Sequence, residues 1–223
     1  IYAASSSKLG DVLRNILADF GTSLHDLAAP ALPFFEPAFP QKRPMHEVER
    51  PYNVLVLCTG NSARSILAEA ILNREGHGRF RAYSAGSKPA EKPHYMAIEL
   101  LASLGYDTEG FRSKSWDEFA KPDAPRMDII ITVCDDVSGE ACPYWPDHPL
   151  RVHWGIPDPA AVQGPDAEKR AAFMEAYRRL SSRVSALVNM PLESLDAATL
   201  RSRLSEIAIM DGATDLALVS NAA

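Results

Sequence analysis

The sequence has no apolar run approaching the roughly 20 residues that a membrane-spanning helix needs, so no membrane span is expected. Basic residues are in the minority. Lys and Arg number 23 against 29 Asp and Glu, a formal net charge of -6. A nucleic-acid binder would usually carry a basic face, so neither nucleic acid nor membrane is expected as a partner. A local basic site for an anion is still allowed. The first residues lack a basic stretch ahead of an apolar core, and no secretory leader is expected. Cysteine is scarce, with three residues: Cys58, Cys134 and Cys142. A secreted disulfide framework more often shows an even count. Free thiols in a reducing compartment, the cytoplasm, are expected instead.

What is present divides into three regions. In residues 1–50, Leu9, Val12, Leu13, Ile16, Leu17 and Phe20 recur at helical spacing and predict a short amphipathic helix. Five prolines follow (Pro30, Pro33, Pro37, Pro40, Pro44), which block helix and interior strand and predict an extended linker. Residues 51–190 alternate strand-like and helix-like segments. Residues 191–223 hold a further amphipathic piece, expected to serve packing or a dimer contact and no chemistry.

In the central region, "NVLVLC" (53–58) is a continuous apolar run, as expected of a strand buried on both faces. Helices are expected over 62–75, over 93–105 with Gly105 as its stop, and over 166–188. Further strands are expected over 80–86, 127–134 and 150–156. This alternation predicts a four-stranded parallel sheet flanked by helices on both faces, flavodoxin-like in layout. Ligands of such sheets bind beyond the carboxyl ends of the strands. Cys58 and Cys134 both fall at such ends, so two thiols 76 residues apart in sequence are expected to be neighbours in space.

The segment "CTGNSARS" (58–65) joins the first strand to the first helix. A loop there aims backbone N–H groups at one point and attracts a tetrahedral oxyanion. Thr59, Gly60, Asn61, Ser62, Ala63, Arg64 and Ser65 are therefore candidate oxyanion-binding residues. Gly60 permits the turn. Arg64 adds a planar fork for two oxygens. Cys58 lies at the bottom of the cradle, where the N–H groups and the helix dipole are expected to lower its pKa and hold a thiolate at neutral pH. Such a thiolate is a nucleophile aimed at phosphorus or arsenic. The loop lacks the G-K-[ST] ending of the nucleotide-binding glycine loop. A cysteine at a strand end can also be a small buried hydrophobe, but the surrounding pattern favours the cradle.

The octet resembles that of the low-molecular-weight tyrosine phosphatase superfamily, most closely its thiol-dependent arsenate reductase branch. Two further stretches fit. "VCDDVSGEACPYWP" (133–146) spaces Cys134 and Cys142 around a polar segment, and "HWGIPDPA" (153–160) holds Asp158 before Pro159. The resemblance covers about residues 51–190. It implies that Cys58 attacks arsenate, Asp158 acts as general acid, and Cys134 and Cys142 carry the oxidation outward as disulfides. It also implies reset by an external thiol reductant, thioredoxin or glutaredoxin with glutathione, and no tightly bound cofactor. Phosphate or sulfate would mimic the substrate. Some relatives bind potassium beside the loop, and Asn61, Glu69 and Ser84 match oxygen ligands of that site. The remaining ligand falls in "KSWDEF" (114–119), with Trp116 and Asp117 both able to align. The relay also asks the segment 134–146 to move, since a disulfide needs alpha carbons roughly 4.4–6.8 Å apart.

Two other readings compete. One is a phosphatase. Against it, Ala63 stands where such enzymes carry a second loop cysteine, and Ala160 and Ala161 stand where they carry aromatics. The other is a non-enzymatic oxyanion or redox sensor, favoured only by the 1–50 extension. A zinc site is poorly supported, because His148 and His153 match no familiar ligand spacing. Tyr144, Trp145 and Trp154 are expected to form either a docking surface for the reductant or part of the core.

Overall fold

Every residue from Val54 to Cys58 is at most 4% exposed. Successive strand residues point to opposite faces, so this first strand is covered on both. In the computed structural model, which describes residues 50–138 and 149–221, it is strand β1, Tyr52–Cys58. The N-terminal helix and linker expected before residue 50 lie outside the described residues, as do Cys142, Tyr144, Trp145 and His148.

Strands β2 (Phe80–Gly86), β3 (Ile129–Thr132) and β4 (Leu150–His153) complete a sheet of order β2-β1-β3-β4. All three pairings are parallel, with Cys58 opposite Gly86 and Thr132 opposite His153. The expected four-stranded parallel sheet is borne out. The strand order reverses between β1 and β3, and such a reversal opens a crevice beyond the carboxyl ends of both strands. The apolar run 127–134 is longer than the β3 ladder because Met127 and Val133 are buried without belonging to the strand.

Helix α1 (Arg64–Glu75) follows β1 and buries Ile66, Leu67, Ala70, Ile71 and Leu72. Helix α2 (Tyr95–Ser103) ends before Gly105, whose φ of 74° is the left-handed conformation that favours glycine. Helix α3 (Asp135–Ser138) is one turn long and begins directly after Cys134. Helix α4 (Asp166–Val188) matches its expected span and packs on α1. Helices α5 (Ala197–Ala208) and α6 (Asp215–Ser220) form the C-terminal tail. Leu204, Ile207, Ala208 and Ala217 are buried, and α5 packs on β4.

One helix position departs from the apolar pattern. Arg183, on the inner face of α4, is fully buried among Phe173, Leu180, Val184 and Leu187. Its Nη1 donates to the carbonyls of Arg179 (3.2 Å) and Asp211 (3.3 Å). Its Nη2 donates to those of Met210 (2.9 Å) and Ala208 (3.5 Å). Three of these acceptors lie at or just past the end of α5, where helix carbonyls lack intrahelical partners and the dipole is negative. A buried cation thus fastens the tail to the sheet domain. Arg183→Ala removes these donors and leaves a cavity, and should cost roughly 2–4 kcal/mol. Urea unfolding should show it as a lower midpoint; a midpoint within error of the parent would contradict the role.

Candidate active site

The loop between β1 and α1 is shaped by what its carbonyls do. Thr59 O accepts from Lys88 N (2.9 Å), Gly60 O from Ala90 N (2.8 Å), and Ser62 O from His94 N (2.8 Å). Asn61 O accepts from the Ser113 hydroxyl (2.8 Å). All four partners lie outside the loop. A peptide N–H points opposite to the carbonyl of the preceding residue. Tying these carbonyls outward turns the amides of Gly60, Asn61, Ser62 and Ala63 inward. Ala63, the N-cap of α1, offers no capping side chain to the first turn. The result is a ring of donors with an affinity for anions. Gly86 is required beside it, because a Cβ there would lie 2.4 Å from Thr59 O.

Asn61 is the hub. It is fully buried and holds a φ of 44°, a left-handed conformation uncommon outside glycine. Its Nδ2 donates to Ser65 Oγ (3.0 Å) and Ser84 Oγ (2.7 Å), and its Oδ1 accepts from Lys114 N (2.8 Å).

Cys58 ends β1 at the base of the ring. Its Sγ accepts from Asn61 N (3.1 Å) and lies 2.9 Å from Ser65 Oγ. Burial nevertheless pushes its pKa above the ordinary thiol value, the Ser65 hydrogen bond pulls it down, Cys134 raises it, and Arg64 lowers it. The direction is opposite to the lowering expected from the loop donors. The donors are present as expected, but the desolvation that comes with 4% exposure outweighs them.

Arg64 occupies the mouth. Its Nη1 donates to Ile156 O (3.0 Å), and its Nη2 pairs with Asp158 Oδ2 (3.0 Å). Asp158 also caps the 3-10 turn Pro159–Ala161, accepting from Ala160 N at 3.0 Å. The arginine and the candidate acid, 94 residues apart in sequence, are thus in direct contact. Neither this pair nor the Ile156 carbonyl was evident from the sequence.

Cys134 is 1% exposed, and its Sγ lies 3.3 Å from Thr59 N and 3.4 Å from Thr59 Oγ1. The thiol just past β3 therefore abuts the residue that follows Cys58. Both thiols are free. Trp154 is fully buried, a core residue rather than part of a docking surface.

Behind the loop, Ser84 Oγ donates to Glu69 Oε2. Asn61, Ser84 and Glu69 are therefore joined, and a fourth residue joins them. Lys114 Nζ lies 3.6 Å from Glu69 Oε2 and 3.5 Å from Ser84 Oγ. Burial pushes Glu69 up and Lys114 down, and their mutual attraction opposes both shifts. Lys114 lies in the stretch 114–119 singled out above, but a single lysine in a polar segment reads as a surface residue. Among the described residues, no cluster of three or more His, Cys, Asp or Glu is placed to hold a metal ion.

Among the described residues, Ser65 is the hydroxyl that bonds the Cys58 sulfur, and it lowers the thiol pKa. Ser65→Ala should therefore raise that pKa further. The pH profile of Cys58 alkylation by iodoacetamide should move to higher pH, with slower modification at neutrality. An unmoved profile would show that the hydroxyl does not stabilise the thiolate.

An arsenate reductase of Bacillus licheniformis is 33% identical over 132 residues, covering 59% of this chain and 91% of the relative. An arsenate reductase of Bacillus subtilis is 33% identical over 131 residues, with the same coverages. A solved structure of an arsenate reductase in its phosphate-binding state is 25% identical, covers 61% of this chain and 96% of its own, and gives a TM-score of 0.50. The family model described as low molecular weight phosphotyrosine protein phosphatase matches residues 53–201. The resemblance carried by the octet is borne out, and the chain belongs to the low molecular weight phosphotyrosine protein phosphatase family.

Proposed function

We propose that the chain reduces arsenate to arsenite, with Cys58 as nucleophile and Cys134 and Cys142 as the further thiols of a disulfide relay, in arsenic detoxification. The observation that carries this reading is the place of the second thiol, 3.3 Å from the amide of Thr59 and next to the nucleophile. Hydrolysis of a phosphoester needs one thiol at that point; a two-electron reduction by thiols needs two. The names of the Bacillus relatives support the same reading.

Arsenate would sit among the inward amides of Gly60 to Ala63, with the Arg64 fork turning to it from Ile156 and Asp158. Cys58 Sγ attacks arsenic. A sulfur–arsenic bond forms and an arsenic–oxygen bond breaks. The thiol proton passes to the dianionic oxyanion, Asp158 protonates the departing oxygen, and one water leaves. Cys134 Sγ then attacks Cys58 Sγ. The sulfur–arsenic bond breaks, its electron pair stays on arsenic, and arsenite departs with the Cys134 proton. Cys142 exchanges onto Cys134 and frees the Cys58 thiol. An external thiol reductant, thioredoxin or glutaredoxin with glutathione, returns two electrons and two protons, and solvent returns the proton that Asp158 gave up. No tightly bound cofactor enters.

This reading is tested by arsenate-dependent NADPH consumption with thioredoxin and thioredoxin reductase, and separately with glutathione, glutaredoxin and glutathione reductase. Turnover should vanish in Cys58→Ser, Cys134→Ser and Cys142→Ser. If arsenate drives no turnover, and p-nitrophenyl phosphate hydrolysis needs Cys58 alone, the chain is a phosphatase.

The oxygens matched to potassium do not fit that ion here. Asn61 spends its Oδ1 on Lys114 N and turns its Nδ2 toward Ser84. The Lys114 ammonium, 9% exposed, already lies against Glu69. We propose that Lys114 supplies the cation behind the loop and that the protein is indifferent to potassium. Its thermal midpoint should be equal in potassium chloride and in choline chloride of matched ionic strength. Lys114→Gln should lower the midpoint and regain part of it in potassium chloride only. A saturable potassium response of the parent chain would overturn this assignment.

A further inference from the structure

Helix α3 has four residues, too few to be stable by its own backbone bonds. It nevertheless begins the segment that leads away from Cys134. What holds its first turn is Asp135. Asp135 Oδ1 takes a hydrogen bond from His153 Nε2 (3.1 Å) and another from Thr214 Oγ1 (2.7 Å). His153, 5% exposed, is fixed through its other ring nitrogen, 2.8 Å from Thr132 Oγ1 on β3.

Thr214 comes from the tail, beyond residue 201 where the family match ends. It caps α6, accepting from Ala217 N, and its own N–H donates to Gly155 O (3.0 Å). At the far end of α6, Asn221 Nδ2 donates to His153 O (2.9 Å). Both ends of this helix therefore grip the exit of β4. The fit is close. A Cβ on Gly155 would lie within 2.6 Å of Thr214 Oγ1, Asp135 Oδ1 and His153 Nε2 alike. The gripped chain runs on to Ile156 and Asp158, the two partners of Arg64.

We propose that Thr214 and Asn221 are positioning residues for the second thiol: they hold Asp135 and His153 so that α3 stays folded and Cys134 stays against Thr59. The inference rests on the reading of Cys134 as the thiol that attacks Cys58. In that reading the first turn of α3 must open for Cys134 to pass its oxidation onward, and the tail sets how often it opens.

The test uses the reduced, oxyanion-free full chain, treated with iodoacetamide and followed by peptide mass spectrometry at Cys134 and Cys58 in the same sample. Thr214→Val removes the bond to Asp135 and the cap on Ala217 N; the first bears directly on α3, and its loss corresponds to about a fivefold rise in opening. Thr214→Val should therefore speed Cys134 alkylation about fivefold and leave Cys58 unchanged. Asn221→Ala should act in the same direction, and Thr214→Ser should restore the parent rate. In an Asp135→Ala background, Thr214→Val should speed Cys134 alkylation less than it does in the parent. Equal acceleration of both cysteines, or of neither, in a folded Thr214→Val protein overturns the proposal. If that variant does not fold, Asn221→Ala decides on the same ratio. Formation of the Cys58–Cys134 disulfide on adding arsenate to the parent chain is scored separately. Its absence would sink the reductase reading without altering the alkylation ratio.

Discussion

Four carbonyl oxygens in succession, from Thr59 to Ser62, accept hydrogen bonds from residues outside their own loop. Their orientation turns the intervening amides toward one point. Donors aimed together at one point repel one another and cannot satisfy each other, so the arrangement needs support from elsewhere. Lys88, Ala90, His94 and Ser113 supply it from the chain that follows β2, and Asn61 supplies it from inside the loop. An anion relieves the frustration directly. The proposed preference for a tetrahedral oxyanion would thus be a property of backbone direction first, and of Arg64 second.

Two pairs of opposite charge flank this loop, and they differ in kind. Arg64 and Asp158 meet at the mouth, where Asp158 is 40% exposed and water screens their attraction. Glu69 and Lys114 meet behind it at 14% and 9% exposure, and burial drives both toward neutrality. A pair of this kind adds little net stability, because desolvation consumes most of the attraction. What it fixes is geometry. Through Ser84 and Asn61 it reaches the hydroxyl of Ser65 and so the sulfur of Cys58.

The parallel sheet, its helices and the strand-turn-helix run of the octet were legible in the sequence because each rests on a local pattern, whereas the strand order came only with the fold. β1 reads as a five-residue apolar run, α4 as a 3.6-residue period, and the octet as strand, turn and helix in sequence. The upward direction of the Cys58 pKa escaped for a reason of distance. Donor groups near Cys58 are visible in the octet, whereas the burial that opposes them comes from the whole core. Arg183 and Lys114 escaped for a related reason. A lone basic residue reads as a solvated side chain, and only the folded chain shows that its head group meets carbonyls or a carboxylate from elsewhere. Thr214 and Asn221, 79 and 68 residues from their partners, carry no local signal at all.

The tail helix bears on where this protein can be cut. A fragment ending at residue 201, where the family match stops, would keep every residue named in the chemistry. It would also lose Ala208, Met210 and Asp211, the acceptors that occupy the buried Arg183 guanidinium. A cation would be stranded in the core, and the Asp135 carboxylate would lose its hydroxyl donor. Boundaries inherited from shorter homologues are therefore unsafe for this chain. Its contacts make the tail, as far as Asn221, part of the folded unit.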